Sequence, residues 1–196
     1  MVGGPLPVRA APVNAMTPAA RLPALRLVVT LAAFQASWFA CVIFAGRDEA
    51  VFATLAGLAA VALHFAWSMR RGIDATLVAV ALAIGLVWDS LLARSGIVDY
   101  AAAGPLEGWA PAWILAMWAL FAITLREPLR WLHGRPALAA LFGGIGGPLS
   151  YAAAAGFGAC HFADRTLAMV VLGFGWAAIT PALVELARHL DRGVQR

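Results

Sequence analysis

Six apolar stretches, each set off from the next by arginine, dominate this sequence and leave little choice of fold. They run over residues 25–45, 50–69, 73–92, 110–125, 137–159 and 166–187. At a rise of 1.5 Å per residue, about 20 residues cover the ~30 Å hydrocarbon layer of a bilayer. The fourth stretch is the weak one, reaching only about 24 Å. Hydrophobic residues make up 63% of the chain and charged residues 12%, against about 25% charged in a soluble domain. Mean hydropathy of +0.84 agrees. Such a chain has too little polar side chain to coat a water-soluble globule. With two cysteines it is no disulfide scaffold, and its apolar content excludes a disordered chain. The expected fold is all-α: a polytopic membrane helix bundle of six transmembrane helices.

Arginine decides the topology. All 14 basic residues are arginine, and they occur in short groups between apolar stretches. With six spans and a cytoplasmic N-terminus, eleven of the 14 fall on the cytoplasmic side, leaving Arg47, Arg94 and Arg165 outside. Were the fourth stretch not to cross, Arg126, Arg130, Arg135 and the three C-terminal arginines would face outward. The positive-inside rule therefore favours six spans with both termini in the cytoplasm. Trp67 and Trp131 at the inner boundary, and Trp88 and Trp109 at the outer one, suit aromatic belts. The net charge of +4 is a topology signal rather than a basic patch for nucleic acid.

Residues 1–24 hold five prolines without apolar periodicity and read as a disordered cytoplasmic tail. Met16 is an alternative start. The first stretch is too long for a cleaved signal peptide and reads as an uncleaved anchor. The transmembrane domain then covers residues 25–190, and residues 191–196 form a C-terminal tail. Cys41 and Cys160 lie near the same membrane face; a disulfide is conceivable, and two small apolar residues in helices are the plainer reading.

Ionisable groups within spans are the natural functional candidates, because hydrocarbon penalises each of them. Asp89 lies about 4.5 Å inside the outer end of the third stretch. It reads either as a carboxylate facing an outward-open cavity or as an interfacial acid capped by water, Arg94 or loop donors. Gly85, one turn earlier, permits close approach of a neighbour. His64 and Glu185 lie at similar depth near the inner face and could relay protons; alternatively Glu185 pairs with Arg188 or Arg26, and His64 bonds a backbone carbonyl. No His, Cys, Asp or Glu spacing has the form of a metal motif, and no cofactor is implied.

The fifth stretch carries Gly143-Gly144-Ile145-Gly146-Gly147-Pro148-Leu149-Ser150-Tyr151. Pro148 lacks a backbone donor and crowds the preceding turn, so a kink or break is expected around Gly146, Gly147 and Pro148. This is either a hinge with close packing of the small Gly143 and Gly147, or a broken helix offering carbonyls to a substrate. Trp38, Trp118 and Trp176 lie deeper than belt tryptophans, with Gln35 and Tyr151 near mid-depth. They suit interior packing or an aromatic-lined cavity for an apolar ligand.

Trp88-Asp89-Ser90-Leu91-Leu92 with Gly96, the segment from Pro111 to Leu125, and Gly146-Gly147-Pro148-Leu149-Ser150-Tyr151 together resemble a proteobacterial family of small polytopic inner-membrane proteins catalogued as a domain of unknown function. The resemblance implies inner-membrane localisation and no settled catalytic residues. It also implies gene neighbours of cyclopropane-fatty-acid-type methyltransferase and flavin oxidoreductase kind, and hence a role near modified acyl chains.

Three functions are open at this point. The leading one is a non-enzymatic membrane protein that binds or handles an apolar, lipid-derived molecule or supports a lipid-modifying enzyme. Its partners would be membrane lipids and another inner-membrane or lipid-modifying protein; nucleic acid is not expected. It calls for a deep aromatic cavity near Trp118, Tyr151 and Trp176 without converging ionisable groups. A proton-coupled transporter would use Asp89 and a broken fifth helix. An intramembrane lipid-modifying enzyme would need Asp89, Asp99, Tyr100 and His161 within hydrogen-bonding range.

Overall fold

The computed structural model describes residues 18–193 and confirms an all-α bundle. Six helices follow one another: α1 (Pro18–Gly46), α2 (Ala50–Trp67), α3 (Arg71–Arg94), α4 (Ala112–Ala122), α5 (Pro136–Gly156) and α6 (Arg165–Gly193). All but α4 are long and apolar enough to cross a membrane. The tail expected over residues 1–24 lies outside the described residues up to position 17, and α1 already begins at Pro18. Likewise α6 continues to Gly193, beyond the expected C-terminal boundary. Phe52, Leu141, Leu149 and Phe174 are each more than half exposed on the bundle's surface, as suits side chains facing lipid.

The weak fourth stretch is shorter as a helix than its sequence suggested, at 11 residues. That is about 17 Å, too little to cross alone. The segment nevertheless runs the needed distance. Before α4, the Ala110 N–H donates to Ser90 Oγ near the end of α3 at 2.9 Å. Beyond it, Arg126 donates to Asp74 in the first turn of α3 at 2.7 Å. Ser90 and Asp74 are separated by about 24 Å of helix. Turns at both ends of α4 cover the remainder, and they are tolerable at depth because Thr124 and Leu125 are buried in protein rather than lipid. The start of α1 and the end of α6 thus lie on one side, the arginine-rich one.

Two sub-bundles result. In one, α4 packs among α1, α2 and α3, with Trp113, Trp118 and Leu120 buried. In the other, α5 packs along α6. On the side opposite the arginines, β1 (Val98–Tyr100) pairs antiparallel with β2 (Cys160–Phe162), so the α3–α4 loop is joined to the α5–α6 loop. Strand alternation turns Val98, Tyr100 and Cys160 inward and leaves Asp99 and His161 exposed.

The break expected at Gly146, Gly147 and Pro148 is absent: α5 runs unbroken through Pro148. Its glycines explain why. The Trp176 ring of α6 covers Gly147, and Thr180 covers Gly143, at positions where a methyl group would overlap them. Gly144 meets Gly173 and Ala177 across the same contact. Close packing of small residues secures the helix and takes up the turn that proline leaves short of a donor.

Candidate functional site

Asp89 is fully buried, and three side chains converge on it. Tyr100 from β1 and Tyr151 from α5 both donate to Oδ1 at 2.5 Å, and the Trp118 indole N–H of α4 donates to Oδ2 at 2.5 Å. Each partner reaches it for a local reason. Inward alternation of β1 aims Tyr100 at the end of α3. Tyr151 stands on the last turns of α5, beside the β2 strand that pairs with β1. The Trp118 ring lies flat on Gly85, one turn before Asp89, where any side chain would collide with it. Neither capping by Arg94 nor an open approach to water is realised; Arg94 instead donates to the Gly108 carbonyl and lies over the Trp109 ring. Three donors give a buried carboxylate the compensation it needs, since each charge-assisted bond contributes about 1.5–3 kcal/mol and an unmatched buried charge is strongly unfavourable. Burial, reinforced by Tyr151 and Asp89, pushes the Tyr100 phenol well above its ordinary value of 10.0.

These donors form one wall of a cavity of about 740 Å³ at the seam between the sub-bundles, bounded by α1, α4, α5 and α6. Trp118 stacks on Trp176 with ring centres 4.9 Å apart and planes 10° from parallel, and Phe121 meets Trp176 edge-on. On the wall made by α1 and α5, Trp38 donates to Ser150 at 3.1 Å, and Phe39 packs edge-on against Phe157, while toward the β strands the cavity reaches Tyr100 and Cys160. Asp89 itself does not line it; its tyrosines and Trp118 do. Leu31, Phe39, Phe142 and Leu149 line the cavity and are exposed.

A second polar cluster lies on the arginine-rich side. Asp74, 3% exposed, accepts from Arg126 at 2.7 Å, from Ser68, and pairs with His64 Nε2 at 3.1 Å. Arg126 also donates to Asp191 on α6 at 2.9 Å, and Arg70 approaches the same carboxylate at 3.6 Å. Burial works against the Arg126 charge, but its bonds to Asp74 and Asp191 outweigh this and raise the guanidinium above its ordinary value.

The proposed His64–Glu185 relay does not form. His64 takes Asp74, ten positions along the chain, while Glu185 is held by Arg188 and His189 on its own helix. Asp74 was not anticipated: an acid in the first turn of a span reads as a boundary residue, and only the short α2–α3 turn signals that His64 can reach it. Of the four residues an enzyme would need, Asp89 and Tyr100 meet, while Asp99 and His161 face away on the outer side of the strands. Cys41 and Cys160 are free buried thiols. Burial, with a smaller contribution from Asp89 and Asp99, pushes the Cys160 thiol up to about 12. No group of three potential metal ligands occurs among the described residues. The deep aromatic cavity is present at Trp118, Tyr151 and Trp176, but ionisable side chains do converge beside it.

The motifs at Asp89 and at Gly147–Tyr151 both fall within residues 27–182, which match the family described as protein of unknown function DUF2878. The chain belongs to that family. No curated protein and no solved structure matches it. It is accordingly a multi-pass membrane protein of a family without an assigned activity.

Proposed function

We propose that the protein binds an apolar, lipid-derived molecule in the seam cavity, within a bacterial inner membrane and with both termini cytoplasmic. The observation that carries this reading is the cavity itself. Its volume falls in the ~300–1,000 Å³ range of small-molecule sites, and its walls are mostly aromatic and aliphatic. Its exposed rim is apolar, so a ligand arrives from the bilayer rather than from water. In this reading Asp89 is a positioning residue: it fixes Trp118, Tyr100 and Tyr151 as a rigid wall. The transporter reading draws less support, because Asp89 is enclosed by its donors and α5 is continuous. The protein either carries the bound molecule on its own account or presents it to a lipid-modifying partner.

Quenching of tryptophan fluorescence by a brominated long-chain alkane, titrated into detergent-purified protein, tests the proposal. Saturable quenching is expected, and Gly146→Phe, which projects a ring into open space on the cavity wall, abolishes the saturable part. Quenching that rises linearly with probe in both proteins would rule the cavity out as a binding site.

A further inference from the structure

Gln35 is the one amide side chain on the cavity wall, and it stands near the middle of α1. It lies about 12 Å from Leu27 and about 17 Å from Gly46, the ends of the apolar part of that helix. Its side chain is exposed and makes no hydrogen bond among the described residues. A primary amide at that depth without a partner is costly, and leucine would be the ordinary choice for a lipid-facing site. The other polar groups on the wall are largely committed. Tyr100, Tyr151 and Trp118 donate to Asp89, Trp38 donates to Ser150, and Thr124 donates back to Phe121. The unspent capacity is the Gln35 amide, with one acceptor and two donors, the Ser150 hydrogen one turn of α1 away across the Trp38 bond, and on the facing α6 wall the Trp176 indole N–H and the Thr180 hydroxyl, both buried without a partner among the described residues. No lining residue carries a charge.

From this we infer, resting on the cavity reading above, that the occupant is a neutral lipid bearing a carbonyl or hydroxyl oxygen, which Gln35 holds at mid-membrane depth while the aromatic walls take its hydrocarbon part. A hydrocarbon alone would leave the amide unsatisfied. A carboxylate or phosphate would enter an apolar chamber without a countercharge.

Three brominated probes of equal chain length separate the cases: an alkane, a methyl ketone and a fatty acid held at a pH where it is ionised. The ketone is expected to bind about tenfold more tightly than the alkane, the value of one well-made hydrogen bond. In the Gln35→Leu variant the ratio of ketone to alkane affinity is expected to fall to about one; Gln35→Asn, which retains the amide, keeps part of the preference. Equal binding of ketone and alkane, or tightest binding of the carboxylate, overturns the inference while leaving the cavity reading intact. So does a Gln35→Leu variant that alters the oligomeric state and not the ketone's affinity, since the amide then serves contact between copies. Absence of saturable binding by all three probes overturns both.

Discussion

Tyr100 and Tyr151 donate to the same oxygen of Asp89, each at 2.5 Å, and they are the two tyrosines of the whole chain. Any tyrosine signal therefore reports on this one carboxylate. Unfolded tyrosine ionises near pH 10, whereas Tyr100 in the fold holds its proton well beyond that. The sign follows by linkage: below pH 10 the contribution of Tyr100 to stability is complete. Above it the unfolded chain releases a proton the native protein retains, and stability falls with rising pH. In the Tyr151→Phe variant, where Tyr100 is the sole tyrosine, tyrosinate absorbance is expected only on unfolding. Reversible ionisation near pH 10 in the folded variant would count against an enclosed site.

Replacing Asp89 by asparagine puts an amide N–H₂ where either two phenols or an indole already donate. Asp89→Asn is expected to destabilise the protein by roughly 3 kcal/mol, within the range for breaking a buried charged network. Tyr151→Phe removes one donor of three and should cost about 1.5–3 kcal/mol. Thermal unfolding in a fixed detergent measures both. An Asp89→Asn protein as stable as the parent would mean the three donors do not share the carboxylate.

The glycines offer a matched comparison. Gly85→Ala and Gly147→Ala drive a methyl into the Trp118 and Trp176 rings, whereas Gly146→Ala meets nothing within 4 Å. The first two should each destabilise by about 1–3 kcal/mol through overpacking, with a shift in tryptophan emission as the stacked pair moves. Gly146→Ala should leave emission unchanged and raise stability by up to about 1 kcal/mol, as alanine does for an unhindered glycine inside a helix. Equal effects at all three sites would refute the packing described.

On the arginine-rich side, Arg126→Met strips Asp74 of its nearest cation while leaving it buried. Such a loss is expected to cost about 3–5 kcal/mol. Restoring neutrality with Asp74→Asn in the same chain should recover part of it. Glu185→Gln, whose ion pairs among the described residues stay on its own helix, should leave the unfolding temperature where it is.

Much of this architecture was legible from residues alone. Hydropathy and arginine placement located the five long helices because a bilayer imposes length and sidedness on each span independently. Gly85, Gly147 and the deep tryptophans marked close contacts, since neither residue type belongs by default in mid-span. What escaped was long-range. The enzyme reading joins Tyr100 to Asp89, but with Asp99 and His161 beside them; nothing local says that a two-strand pairing instead brings Tyr151, at the end of α5, to the same carboxylate. Of the two readings of the Pro148 segment, the broken helix is not realised and the close packing is: α6 lies on Gly143 and Gly147, and α5 runs on through Pro148. His64 found an acid across a turn rather than across the bundle, because the turn is too short to let the two ends separate.

The seam between the sub-bundles has a thermodynamic consequence. It is bridged at one end by Tyr151 on Asp89 and by the β pairing, and at the other by Arg126 on Asp191. Neither half can come apart without exposing charged partners that the other half satisfies. Unfolding is thereby coupled across the interface, and an occupant of the cavity acts as a shared contact that raises the stability of both halves together.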